Sequence, residues 1–322
     1  MNLLVMGGTQ FLGRAIVDAA VAAGHTVTLF NRGKTGVDLF PSLEKLRGDR
    51  KDGNLTALQG RTFDAVIDVC AFFPRVVREL LETVKTAHYT LISTISVYGR
   101  NDMIGADESA ELATLDDHST EEVTGETYGG LKVLCEQAAE AALPEQVLHV
   151  RSGLIIGPHD PTDRFTYWPV RVARGGKMLA PKPPDYALQV IDARDQAAWI
   201  IRSIEANVTG VFNVAGDSSV TLKQIIDTTC AMSGSAAEVV WISAETIAEH
   251  EIQPWQELPL YVRMEGYEGF HHYSIDKALA TGLVFRPIAD TIRDILTWYD
   301  LDQPLKIGLK PEREAEILQK IA

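Results

Sequence analysis

The sequence is poor in the features that mark proteins for oxidising, membranous or polyanionic surroundings. It has three cysteines, Cys70, Cys135 and Cys230, scattered and without a CxxC pair. Such an odd, dispersed set suits reduced thiols and speaks against a disulfide framework. No apolar run reaches the length of a membrane span, and the first residues show neither a basic region nor a cleavage site. A cytoplasmic protein without membrane contact is expected. No compact Lys/Arg run occurs, and 44 acidic against 30 basic residues leave a formal net charge of −14. That charge repels phosphate polymers, so nucleic acid is not an expected partner. His271 and His272 resemble a metal pair, but adjacent residues on an extended segment point to opposite sides. No Asp, Glu or Cys set accompanies them, so no metal is expected.

What is present is a globular composition over 322 residues, 46% hydrophobic and 23% charged, enough for one large domain or two moderate ones. Through the first half, strand-like runs alternate with helical ones. The runs "NLLVM" (2–6), "TVTLF" (26–30), "FDAVIDVC" (63–70), "HYTLIST" (88–94) and "VLHVR" (147–151) read as strands. Helices are expected over 11–24, about 75–86 and about 127–142. In the first of these Leu12, Ile16, Ala19 and Ala23 share one face, with Gly24 as the C-terminal glycine. "LQVIDARDQAAWIIRSI" (188–204) reads as one more strand and helix, and "GVFNVAG" (210–216) as a further strand. This alternation predicts an α/β fold, a doubly wound parallel sheet with a smaller interleaved C-terminal lobe. The expected division is 1–152 with 187–216 for the sheet domain, and 153–186 with 217–322 for the substrate lobe.

The opening "MNLLVMGGTQFLG" carries a glycine loop between a strand and a helix, the context in which backbone N–H groups face a pyrophosphate. Gly7 permits the turn, and Gly13 lets the helix pack closely. After the second strand, "FNRG" offers Asn31 and Arg32 where an acid would hold a ribose 2′-OH. A guanidinium there suits a 2′-phosphate, although a solvated loop arginine would look the same. "YGGLK" places Tyr128 and Lys132 four apart, on one helical face. An ammonium near a phenol lowers its pKa and makes proton exchange with a substrate hydroxyl feasible. "STISVYG" (93–99), at a strand end, adds the hydroxyls of Ser93, Thr94 and Ser96.

Together these residues resemble the short-chain dehydrogenase/reductase superfamily, in its extended or atypical, epimerase-like branch. The resemblance spans nearly the whole chain and implies a Rossmann domain that binds NADP, with NAD possible. It implies cofactor contacts from Gly7, Gly8, Thr9, Gln10, Phe11, Leu12 and Gly13, and from Asn31, Arg32, Asp49 and Arg50. Further contacts are implied for Cys70, Ala71, Ser93 and Lys132. Thr94, Tyr128 and Lys132 are the implied catalytic residues. "RSGLIIGP" (151–158) resembles the family's "RPxxVYGP", with Ser152 in place of proline. The loop after it implies substrate contacts from His159, Arg164 and Trp168, with Ser96 beside the catalytic threonine. Trp255 caps this site or belongs to the core of the smaller lobe. The acidic run 107–122 reads as a solvated loop.

Gln10 stands where the family's central glycine lets backbone approach the pyrophosphate. A subgroup with GGTRFLG or GGTQFLG loops shares this departure and includes chloroplast stem-loop RNA-binding proteins. Gln10 either turns outward beside the phosphates or fills the groove. The implied activity is oxidation, reduction or epimerisation at a hydroxyl or carbonyl of a small or sugar-like substrate, by a monomer or homodimer. Ile95 and Ser96 after Thr94 disfavour dehydration, which usually wants an acid pair there. The alternative is a non-catalytic NADP-sensing or RNA-binding protein on the same fold.

Overall fold

The computed structural model describes residues 1–321. Seven segments form one sheet: β1 (Asn2–Met6), β2 (Thr26–Asn31), β3 (Glu44–Arg47), β4 (Ala65–Asp68), β5 (Tyr89–Thr94), β6 (Val147–Ser152) and β7 (Gly210–Val214). The lateral order is β7-β6-β5-β4-β1-β2-β3, and every neighbouring pair is parallel. Strands β4, β5 and β6 are buried along their whole length, as their near-continuous apolar character requires.

Helices cover both faces. α1 (Phe11–Ala22) and α4 (Ala193–Glu205) pack together on one side, α2 (Pro74–Thr83) and α3 (Tyr128–Ala142) on the other. The first side encloses Leu3, Val5, Ile16, Val150 and Trp199; the second encloses Leu4, Met6, Val66, Leu80 and Leu131. α1 buries Leu12, Ile16, Val17 and Ala20. Its face is therefore turned slightly from the one read in the sequence. Ala23 lies beyond the helix end and is exposed, and Gly24 follows at φ +81°.

β3 was not expected from the sequence, because "EKLR" has no apolar run. It is a short edge strand with Glu44 and Arg47 exposed, and Glu44 accepts hydrogen bonds from Thr28 (2.9 Å) and Arg61. Its polarity suits an edge that must not recruit another strand.

The other lobe has its own core, including Phe165, Tyr167, Trp168, Leu179, Ile225, Ile292 and Ile317. Helices Tyr167–Ala173, Leu222–Ser233, Ile288–Trp298 and Pro311–Lys320 build it, with strand Lys177–Pro181 paired to Glu238–Ile242. The last helix is pinned by buried Glu314, which accepts from Arg171 Nε (2.7 Å) and Leu179 N (2.8 Å). Leu188 and Val190 belong to this core, Ile191 and Ala193 to the sheet core, so the chain passes between them there. The segment 107–122 is mostly exposed but fastened at several points, among them the bond from Ala113 N to Val97 O (2.7 Å). Glu108 Oε1 accepts Asn213 N (2.6 Å), and Glu121 pairs with Arg75 on α2.

Candidate active site

The strand order reverses between β1 and β4. In parallel sheets this leaves a crevice at the strand C-terminal ends, where ligands bind. A cleft of about 650 Å³ opens there. The glycine loop forms one wall. Gly8 sits at φ +83°, and a Cβ on it would lie 2.9 Å from Leu29 Cδ2. A Cβ on Gly13 would lie 2.9 Å from the Gly8 nitrogen, so this glycine lets α1 start against the loop. The helix N-terminus, with its unpaired N–H groups and positive dipole end, therefore faces the cleft.

Gln10 has φ −140° and ψ 135°, an extended conformation open to any residue, and its exposed side chain makes no capping bond. Backbone freedom is therefore not what a glycine would supply at this position. Gln10 lines the cleft with its side chain exposed, and a binding experiment decides between its two readings.

One end of the cleft lies at the tips of β2 and β3. Asn31 ties this end together: its Oδ1 accepts Gly33 N (2.9 Å) and Arg47, and its Nδ2 donates to Gly7 O (3.4 Å). Arg32 is exposed, 3.9 Å from Asp49, whose Oδ1 accepts Lys51 N (3.1 Å). Lys34 and Thr35 also line this end and were missed in the sequence, although they follow Arg32 in the same loop. Arg50 lines the floor, but its guanidinium is engaged by Asp68 Oδ1 (2.6 Å) and Val76 O (2.8 Å). Against the upward push of burial, Arg50 holds the Asp68 carboxyl below the usual carboxylate range. Cys70 and Ala71 line the cleft after β4, and burial pushes the Cys70 thiol up.

At the other end Ser93, Thr94, Tyr128 and Lys132 come together. β5 ends at Thr94, and α3 begins at Tyr128 with Lys132 one turn on. Thr94 Oγ1 donates to Ser96 Oγ (3.2 Å); Ser96 itself is exposed and outside the cleft wall. Ser93 donates to Glu136, which also holds Arg151 through Nη2 (2.8 Å), so a buried ion pair braces β5, β6 and α3.

The electrostatics differ from the sequence expectation. Lys132 is buried and donates to the Ala71 and Ile92 carbonyls, each at 2.7 Å. Burial pushes its ammonium below the ordinary lysine value. Burial also pushes the Tyr128 phenol above its ordinary value, the Thr94 hydroxyl opposing it in part. In this state the lysine charge is spent on backbone carbonyls and does not lower the tyrosine.

The substrate-loop residues scatter. Trp168 is not at the site: it is 0% exposed, in the second core, with Nε1 donating to Pro259 O (2.9 Å). Its aromatic run looked like a loop, but Phe165, Tyr167 and Trp168 all turn inward. His159 stacks edge-on against Trp298 at 5.0 Å, off the cleft wall; burial, then Arg14 and Arg194, lowers its pKa. Arg164 lies over the Trp255 ring, 5.0 Å from its centre, so that tryptophan packs in the second lobe. His271 Nδ1 accepts Gln189 N (3.1 Å), and its Nε2 donates to Leu260 O (3.0 Å). Among the described residues no group of three or more His, Cys, Asp or Glu is placed to hold a metal, and no helix is long and apolar enough to cross a membrane.

The sequence pattern of the NAD dependent epimerase/dehydratase family matches residues 3–215, the glycine loop, Tyr128 and Lys132 included. The chain belongs to this family. The chloroplast stem-loop binding protein of 41 kDa b from Arabidopsis thaliana is 26% identical over 260 residues, 74% of this chain. The match spans 64% of that relative's length. Among solved structures, the human epimerase family protein SDR39U1 with NADPH has a TM-score of 0.63 at 20% identity, over 92% of this chain and 99% of that one. UDP-glucuronic acid 4-epimerase from Bacillus cereus, with UDP-glucuronic acid and NAD, has a TM-score of 0.65 at 17% identity, over 93% and 100%. MoeE5 with UDP-glucose and NAD has 0.66 at 18%, over 92% and 98%. At these identities the likeness is one of fold. It extends the epimerase-type architecture past residue 215 into the second lobe.

Proposed function

We propose that the chain is an NAD(P)-dependent oxidoreductase or epimerase acting at a hydroxyl or carbonyl of a small or sugar-like substrate. The observation that carries this reading is the meeting of Thr94, Tyr128 and Lys132 in the same cleft as the glycine loop. The residues fit a dinucleotide: Gly8 and Gly13 leave room for backbone at the α1 N-terminus, where a pyrophosphate would be held. Arg32 and Lys34 would hold a 2′-phosphate, which favours NADP(H). A bound nicotinamide supplies hydride transfer. Tyr128 exchanges the proton with the substrate oxygen, and Thr94 hydrogen-bonds that oxygen. Lys132, whose ammonium is held by two carbonyls at the same end of the cleft, would hold the nicotinamide ribose.

The test is calorimetry of the parent chain with NADPH and NADH. It is followed by turnover assays starting from UDP-glucose and UDP-glucuronic acid, the molecules held by the structural neighbours. Tighter NADPH binding and any hydride exchange support the reading; no dinucleotide binding refutes it. The relative's name favours a second reading, a stem-loop RNA-binding protein. The net charge of −14 works against it. A gel shift with stem-loop RNA at physiological salt decides between them.

A further inference from the structure

Ser152 is the in-register neighbour of Thr94 on β6, and both residues line the cleft. Side chains alternate along a strand. Ile92 and Val150, two positions earlier, share the α1/α4 side, so Thr94 and Ser152 share it too. Ser152 is 5% exposed, and Gln196 in the first turn of α4 approaches it from behind. Gln196 is 0% exposed; its Nε2 donates to Ser152 Oγ at 2.5 Å, while its Oε1 has no partner among the described residues. Burying an amide with half its capacity unmet is costly. The one bond it makes fixes the serine.

A hydroxyl has one proton and two lone pairs. Gln196 occupies a lone pair of Ser152, which leaves the proton to find an acceptor. The Val150 carbonyl lies at 3.5 Å, the outer limit of a hydrogen bond. Thr94 beside it is already donating to Ser96. With the Tyr128 phenol assigned to the substrate oxygen, Ser152 is therefore the second hydroxyl with a proton to offer at this end of the cleft, the end opposite Arg32 and Lys34. On the dinucleotide reading, on which this step rests, that end receives the nicotinamide. We propose that Ser152, oriented by Gln196, donates to the carbonyl oxygen of the nicotinamide carboxamide, and that the pair sets affinity for that half of the cofactor.

The test is calorimetry of the full chain, parent and Ser152→Ala, with NADPH or NADH (whichever the parent prefers) and with the matching adenosine half, 2′,5′-ADP or ADP. Ser152→Ala should bind the dinucleotide about three- to tenfold more weakly, the worth of one neutral hydrogen bond. It should bind the adenosine half unchanged. The 3-acetylpyridine analogue keeps the carbonyl and should show the same penalty. Gln196→Glu supplies a carboxylate that takes the serine proton for itself, so it should reproduce the selective loss with Ser152 intact. If that buried acid unfolds the chain, Ser152→Ala decides alone. Equal dinucleotide affinity in Ser152→Ala overturns the proposal, as does an equal loss on the adenosine half. A parent that binds neither dinucleotide overturns the functional reading and takes this one with it.

Discussion

The two ends of the cleft are built on opposite principles. At the β2–β3 end the cations are long, solvated and loosely held: Arg32 is exposed, and Asp49 stands 3.9 Å away. At the β5–β6 end the polar groups are buried and individually bonded, with Lys132 at 3% and Thr94 at 8% exposure. Water screens charges at the first end, so substitutions there retune affinity with little effect on the fold. Desolvation governs the second end. It pushes Tyr128 up and Lys132 down, so the phenol holds its proton more tightly and the ammonium less tightly than in water. On the proposed function, one end chooses the ligand and the other holds the chemistry.

The strongest attempt to break this division is Tyr128→Phe. Only a hydroxyl is lost, so fold and dinucleotide affinity should persist while turnover of any accepted substrate falls about 10²–10⁴-fold. Steady-state kinetics with unchanged turnover would remove the catalytic assignment.

Next in size is the titration of that phenol. The difference in phenolate absorbance between parent and Tyr128→Phe should have its midpoint above about 10, the free tyrosine value. The folded state thus holds this proton more tightly than the unfolded one, and Tyr128's contribution to stability is lost as pH rises past that value. Lys132, depressed by burial, contributes with the opposite sign. The absorbance difference isolates the tyrosine. A midpoint below 10 in the free chain would mean that Lys132 already reaches it.

At the solvated end, Arg32→Asp should lower NADPH affinity by about tenfold or more, the loss of one charge-assisted bond plus repulsion, while NADH affinity holds or rises. A parent that binds both cofactors equally would show that Arg32 is only a surface arginine. The smallest effect is expected from Gln10→Gly. Gln10 is exposed, extended and makes no cap, so dinucleotide affinity should change by about threefold or less. Binding by the glycine variant where the parent shows none would mean that Gln10 blocks the groove.

What was legible in the sequence follows the same line. Local patterns revealed β1, β2, β4, β5, β6, β7 and the helices between them, because a buried strand must be apolar and α1 must repeat its face. The glycine loop and the Tyr128–Lys132 pair are likewise written in contiguous residues. Strand β3 was hidden because an edge strand needs no apolar run. Trp168 was misplaced because proline and aspartate around it imitate a surface loop while its indole enters the second core. The pairing of Thr94 with Ser152, and of Ser152 with Gln196, depends on strand register and on α4 crossing the sheet. No local pattern carries that information. The direction of the Tyr128 shift was missed for the same reason, since the carbonyls that capture Lys132 belong to distant residues.

The buried link from Glu314 to Arg171 and Leu179 has a practical consequence for handling the protein. It makes the helix Pro311–Lys320 a plug for the second lobe's core, since Ile317 sits in that core. Clipping the chain ahead of Pro311 would take the carboxylate from the half-buried Arg171 guanidinium, leaving it only the Gly175 and Lys177 carbonyls, and uncover an oily face. A protease nick in the segment before that helix would therefore yield a sticky, precipitating product. Solubility after limited digestion is thus a sensitive gauge of whether the second lobe is intact.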